Sequence, residues 1–371
     1  MENLERQSLR YLSNFYKGKK VLLTGDSGFK GSWLAICLKE LGAEVFGYSL
    51  PPKSKKDNFV VTDLSSKIEH RDGDVRDFPG FLKYADNIQP DIAFHLAAQP
   101  LVLESYTDPR YTFETNVMGT VNFLEITRLV KSIKAAVNVT SDKCYHNNEW
   151  LWGYRENDPM GGKDPYSASK GASEIVTASY KASFFSDINN AAIASARAGN
   201  VIGGGDWAEF RIVPDFFRAL ETKKQLSLRY PEATRPWQHV LEPLGGYLLL
   251  GAKLLERGQS FSGGWNFGPR DVNNYSVQKL VEALISAAGK GSFIVPEDAE
   301  RKHEASLLKL DISKANHLLG WSPVLDFKQT IQFVVDGYLG ETSGEDVYGL
   351  RVKQIKEYMN IGSENKLVYL T

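Results

Sequence analysis

Short apolar runs alternate with helix-period stretches through the first half of the chain. Lys20–Thr24 reads as a strand, and so do 44–48, 91–96, 135–140 and 191–198, with one more strand opening at Ile68 and Glu69. Between the first two, 29–41 has helical periodicity and stops at Gly42, a residue suited to the left-handed turn that ends a helix. A long helical pattern covers 110–130. Another helix starts behind Asp164-Pro165, a capping side chain followed by a proline in the first turn. After residue 200 the rhythm breaks into Gly203-Gly204-Gly205, aromatics and scattered prolines, and helical patterns return at 276–288 and 327–338.

Strands alternating with helices predict an α/β protein with a Rossmann-type, doubly wound parallel sheet and a smaller C-terminal substrate-binding lobe. The expected division is 1–200 for the dinucleotide-binding domain, 201–340 for a non-contiguous lobe and 341–371 for a tail without a readable pattern, with late strands free to return to the main sheet. The 371 residues suffice for about two domains. A net charge of -1 gives no electrostatic case for nucleic acid or an anionic membrane surface. No apolar run approaches the ~18 residues needed to cross a bilayer. Cys37 and Cys144 are the only cysteines, which predicts no disulfide framework and, with a charged N-terminus lacking a signal segment, a cytoplasmic protein. Cys37 falls on an amphipathic helix and is expected in the core, and Cys144 adjoins Lys143, where a reactive thiol is conceivable. The six histidines show no metal-binding spacing, so no metal is expected.

Two motifs carry chemistry. Gly25-Asp26-Ser27-Gly28-Phe29-Lys30-Gly31 lies between the first strand and its helix, where glycines let the backbone turn sharply and approach a pyrophosphate. Tyr166 and Lys170 stand one helical turn apart on one face, and the ammonium field predicts a phenol pKa drawn down from ~10. Asp142 and Lys143 add a second acid and base at the carboxyl end of a strand. Plain alcohol oxidation needs no second pair, so oxidation followed by another step is expected. Asp74 and Val75 fit beside an adenine, and a surface turn fits them equally. The second strand ends in Tyr48-Ser49 without an acidic residue for a ribose hydroxyl or an Arg for a 2′-phosphate, which leaves NAD and NADP both open on physical grounds. The stretch from His146 to Lys163, between the two pairs, reads as a lid or a long surface loop.

These residues, together with His95-Leu96-Ala97-Ala98, Asn116 and Arg197 to Asn200, resemble the extended short-chain dehydrogenase/reductase family over roughly residues 18 to 340. Within it, Gln99-Pro100-Leu101-Val102, Thr140 to Tyr145, Gly199 to Trp207 and Arg235 to Val240 resemble the nucleotide-sugar 4,6-dehydratase branch. The resemblance implies NAD as cofactor, held by Gly25, Gly28, Phe29, Gly31, Asp74, Val75, Leu96, Ala97, Ala98, Asn116, Tyr166 and Lys170. It implies CDP-glucose as substrate and Ser141, Asp142, Lys143, Tyr166 and Lys170 as the catalytic set, with Lys143 standing where dTDP-sugar relatives carry Glu. No residue reads cytosine over thymine on physical grounds. Arg forks suit phosphate oxygens, so Asn200, Arg211 and Arg235 are expected at the diphosphate, with Gln99, Asn266 and Arg301 as further substrate contacts. The resemblance also implies a homodimer or homotetramer that pairs helices 110–130 and 164–184 into a four-helix interface. Leu103 departs from it, standing where Arg is expected. Two rival readings are an epimerase using the same Tyr and Lys, which leaves Asp142 and Lys143 without a task, and a dinucleotide sensor with no activity.

Overall fold

Seven strands form the centre of the fold: β1 Lys20–Thr24, β2 Glu44–Ser49, β3 Glu69–Asp72, β4 Ile92–His95, β5 Ala135–Val139, β6 Ala192–Ala198 and β7 Gly263–Phe267. The computed structural model describes residues 11–270, 274–296 and 307–367. The strands lie in the order β7-β6-β5-β4-β1-β2-β3, and every neighbouring pair is parallel. The chain runs outward from β1 to β3, then returns to lay β4 on the other side of β1, pairing Thr24 with His95. That reversal opens a crevice at the carboxyl ends of β1 and β4, where open α/β sheets take ligands.

The main helices are α1 Phe29–Glu40, α2 Phe78–Ile88, α3 Gly119–Leu129, α4 Pro165–Phe184, α5 Ile212–Glu221, α6 Leu241–Arg257, α7 Val277–Ala288, α8 Phe327–Thr342 and α9 Val347–Glu364. Strand side chains alternate between faces. Val21 and Leu23 pack with Trp33 and Ile36 of α1 and with Tyr247 and Leu250 of α6, while Leu22 packs with Phe81 of α2 and Phe123 of α3. Burial on both sides is why these strands read as continuous apolar runs. A third apolar cluster joins α5, α7 and α8 through Phe216, Phe217, Leu280, Val334 and Tyr338. β7 comes from beyond residue 200 and joins the main sheet beside β6.

Three expectations change. The helix carrying Cys37 is not amphipathic: every residue from Gly31 to Leu38 is buried, because α9 folds back over the outer side of α1. The stretch after 341 therefore has a definite place, as the cover of the glycine-loop helix. The 110–130 pattern is also interrupted, running through Pro109–Phe113, a wide π turn at Glu114–Met118 and then α3. The carbonyl of Asn116 in that turn accepts from the hydroxyls of Thr120 and Ser173, both at 2.7 Å. α4 begins as its sequence predicts, with the Asp164 carboxylate accepting from the Ser167 N–H at 2.9 Å.

Candidate active site

The glycine loop is shaped by what its neighbours leave no room for. Gly25 has φ +75°, and a Cβ there would lie 2.6 Å from the Ala97 nitrogen. One on Gly31 would lie 2.0 Å from the Gly25 oxygen, so strand, turn and α1 are pressed together. Around Gly28 a Cβ would meet only the Gly25 oxygen at 3.3 Å, so the backbone is open there. No side chain caps α1, and its first turn has no acidic residue. Its free N–H groups and positive dipole end suit a dinucleotide diphosphate. Across the crevice the Thr24 hydroxyl accepts from the N–H groups of Leu96 and Ala97 at 3.2 Å, fixing the strand end that leads into Ala98. Phe29, half-buried, faces Gly203. Asn116 braces this wall: its oxygen accepts from the Gln99 N–H at 2.8 Å, and its amide donates to Gln99 O and to Ser169 of α4.

Asp74, expected beside an adenine or in a surface turn, carries an ion pair. Arg76 covers its carboxylate through Nη2 at 2.6 Å and Nε at 3.0 Å. Val75 is buried, with its carbonyl accepting from Asn122. At the end of β2, Ser49 accepts from the Ser27 N–H at 3.2 Å.

Ser141, Asp142 and Lys143 leave the carboxyl end of β5 in a single 3-10 turn, and α4 brings Tyr166 and Lys170 against it. The Tyr166 N–H is held by the Ser105 hydroxyl at 3.2 Å. Lys143 Nζ lies 6.0 Å from the centre of the Tyr166 ring. The Ser141 hydroxyl donates to Asp142 Oδ1 at 2.9 Å. Gly199 closes on the same carboxylate, since a Cβ there would lie 3.1 Å from Oδ2. Asp142 is only 3% exposed, and this burial raises its pKa above the usual carboxylate range against the pull of Lys143, Ser141 and Arg235. Tyr166 does not follow the sequence expectation. Burial pushes its phenol up to about 12, with the Ser141 hydroxyl pulling the other way. Lys170, expected to draw the phenol down, is itself pushed down to about 8 by burial and then by the charge of Lys30.

The substrate-side expectations divide. Arg235 is close enough to Asp142 to stabilise its carboxylate, and Arg211 acts on Tyr166. Arg211 precedes α5 with part of its fork on Asp206 at 2.9 Å. Asn200 follows β6, next to Gly199, and its carbonyl accepts from Gln238. Gln99 is a correction. Its amide donates to Leu101 O and Thr112, and its oxygen accepts from the Leu101 N–H, so the side chain is consumed in shaping its own loop. Asn266 is a second correction. It is fully buried in β7, donating to the carbonyls of Tyr154 and Asp311 and accepting from the Tyr145 hydroxyl. Arg301 lies outside the described residues. Leu103, in the expected place of Arg, is 45% exposed.

The family model described as GDP-mannose 4,6 dehydratase matches residues 22–334. The chain belongs to this dehydratase family. A CDP-glucose 4,6-dehydratase of Salmonella typhimurium is 46% identical over 351 residues, covering 94% of this chain and 98% of that protein. A UDP-glucose 4-epimerase of Mycolicibacterium smegmatis is 25% identical, covering 85% and 97%. Among solved structures, a UDP-glucose-4-epimerase from Stenotrophomonas maltophila with bound NAD and formylated UDP-arabinopyranose shares the fold at TM-score 0.76 and 20% identity, covering 88% of this chain and 99% of that one.

Three features of this dehydratase family member escape its sequence. Lys30, half-buried in the first turn of α1, is pushed down to about 8 by burial and by Arg211, and it also senses Asp142 and Asp206. Its place in the glycine motif was the only available signal, and it gave no direction for the side chain. Cys144 is wholly buried, and burial pushes its thiol far up, which removes the case for a reactive cysteine. The 146–163 stretch is anchored chiefly through the buried Tyr154, while Leu151 and Trp152 stand exposed as on a surface loop. Tyr145 bridges to Met160, Tyr154 bridges to Leu310, and the two tyrosine rings stack at 5.2 Å. Among the described residues no helix is long and apolar enough to cross a membrane, and no acidic, His or Cys cluster could hold a metal ion.

Proposed function

We propose that this chain converts CDP-D-glucose into CDP-4-keto-6-deoxy-D-glucose and water. The observation that carries the reading is Asp142, a buried carboxyl biased toward its protonated form beside Ser141, Lys143 and Tyr166. An acid of that kind suits expulsion of a hydroxyl as water. The identity of CDP as carrier rests on the 46% identical relative. The open glycine cradle supports NAD, which when bound adds a positive ring and accepts hydride from C4, to be returned at C6.

Each side chain then has one task. Tyr166 takes the proton of the 4-hydroxyl, with Ser141 holding that oxygen. The resulting 4-keto group acidifies the C5 hydrogen, and Lys143 removes it and returns a solvent-exchanged proton to C5 as hydride arrives at C6. Asp142 delivers its proton to the departing 6-oxygen. Arg211, Arg235 and Asn200 hold the diphosphate. Lys170 supplies positive charge beneath Tyr166 and must be protonated to do so.

The experiment is incubation of the purified protein with NAD and CDP-, dTDP-, GDP- or UDP-glucose in deuterated water. The expected product from CDP-glucose has lost one water and carries solvent deuterium at C5. A product of unchanged mass would make the protein an epimerase and end the proposal.

A pH dependence follows from Lys170. Its ammonium is present below about 8 and lost above, so kcat/KM should fall on the alkaline side near that pH. Lys30→Met removes a charge that lowers Lys170, so the alkaline limb should move to higher pH. A limb that stays in place or moves downward contradicts this assignment.

Self-association would use the two helices that the family resemblance implies. Leu129 on α3 and Ile175 and Phe184 on α4 are large apolar side chains left in solvent. They supply a self-complementary patch for a two-fold pairing of the two helices. Ile175→Glu should convert a dimer to monomers in sedimentation equilibrium, and an unchanged mass would move the interface elsewhere.

A further inference from the structure

α9 buries one cation completely. The side chain of Arg351 has no exposed surface and lies 5.0 Å from the Trp33 ring of α1. Its Nε donates to Asn58 Oδ1 at 2.9 Å, its Nη1 to the Gly337 carbonyl at 3.3 Å, and its Nη2 pairs with Glu341 of α8. A buried ion pair of this kind adds little net stability over an apolar filling. The pair also reaches the 203–207 loop.

The other carboxylate oxygen of Glu341 accepts from the Trp207 indole N–H at 3.0 Å. The Trp33 indole donates to the Gly204 carbonyl at 2.9 Å. From α8 the Tyr338 hydroxyl donates to the Asp206 carbonyl. The 203–207 loop is thus held at three successive points by side chains from α1 and α8, with Arg351 bonded to both Gly337 and Glu341. The glycines are required by this closeness: a Cβ on Gly204 would lie 2.6 Å from Arg351 Nη1 and 2.9 Å from Glu341 Oε1, and one on Gly205 would lie 2.5 Å from the Asn58 Cβ. The same loop ends at the Asp206 carboxylate, which takes Arg211 Nη1 at 2.9 Å.

We propose that Arg351 is a positioning residue for the diphosphate site: through Glu341 and the Gly204–Trp207 backbone it fixes the Asp206 carboxylate that aims Arg211. The inference rests on the reading of Arg211 as a diphosphate ligand given above. It gives the C-terminal helix a part in substrate affinity although it lies outside the crevice.

The test compares CDP with cytidine by calorimetry, because only CDP carries the phosphates that Arg211 would hold. The variant Arg351→Met with Glu341→Gln removes the pair without stranding a buried charge and leaves an acceptor for Trp207. It should weaken CDP about tenfold and leave cytidine unchanged, with KM for CDP-glucose raised and kcat nearly kept. Trp207→Phe, which leaves the ion pair intact, should weaken CDP by a smaller factor, about threefold, in the same selective way. Arg211→Met should weaken CDP at least as much, and adding the Arg351 and Glu341 changes to it should cost less than about twofold more. Full additivity with Arg211→Met, or an unchanged CDP-to-cytidine ratio in both the pair variant and Trp207→Phe, overturns the positioning role. If Arg211→Met itself leaves CDP binding intact, the diphosphate reading fails first and this inference falls with it.

Discussion

Replacing Tyr166 with Phe should lower kcat by about a thousandfold, the middle of the range for losing a positioned proton-transfer group. The phenol is 8% exposed and packed where β5 hands over to its 3-10 turn, so the ring of Phe keeps the shape and loses only the oxygen. Binding of CDP-glucose should change by less than about threefold, since the task proposed for the removed group is on the 4-hydroxyl proton in the transition state. The measurement is single-turnover product formation beside a calorimetric dissociation constant. A variant that keeps more than a tenth of the native rate would show that another base takes the 4-hydroxyl proton. Because burial holds the phenol up near 12, its ionisation depends on positive charge around it. A companion Lys170→Met variant should therefore approach the same loss, and the double variant should be little worse than Tyr166→Phe alone.

The second large effect belongs to Asp142. Asn has the same shape and still accepts the Ser141 hydroxyl, but it carries no proton to give. Dehydration should fall by about a hundred- to a thousandfold. Oxidation at C4 and removal of the C5 hydrogen precede proton delivery in the proposed sequence, so deuterium should still enter C5. The trapped sugar should be a 4-keto compound retaining its 6-hydroxyl, identified by mass after quenching. Loss of both exchange and dehydration would place Asp142 earlier in the reaction than leaving-group departure. A rate within about threefold of native would remove it from the mechanism. Burial that raises its pKa also sets the sign of the pH effect: the proton to be delivered is lost as pH rises, so Asp142 limits the reaction from the alkaline side of its own titration.

Much of this was readable in the chain, and the readable parts share a range of only a few residues. Asp164-Pro165 announces α4 because a cap is a contact between residues three apart, here Asp164 with Ser167. Tyr166 and Lys170 share a face because helical geometry is local. The glycine spacing marks a turn because only nearby backbone must be accommodated. Lys20–Thr24 reads as a strand from its own composition, and the structure keeps those bounds.

The misreadings came from distant partners. Asn266, expected as a substrate contact, has its amide used up by Tyr145, Tyr154 and Asp311. Gln99 is the exception, closing its own loop with the nearby Leu101 and Thr112. The lowered pKa expected for Tyr166 from its helix neighbour is reversed, because burial in the surrounding fold pushes the phenol up.

By itself the sequence determined the repeating strand–helix units, the tight glycine turn and the shared face of Tyr166 and Lys170, because each is set by contacts within about one turn or one strand of chain. Only the tertiary structure decided the strand order that opens the crevice between β1 and β4, the return of β7 to the sheet, and the packing of α9 against α1 and α8. Those features depend on pairings separated by many residues, such as Asn58 with Arg351, and on how completely water is excluded around each charge. Neither the partner nor the burial is encoded in any short window of sequence.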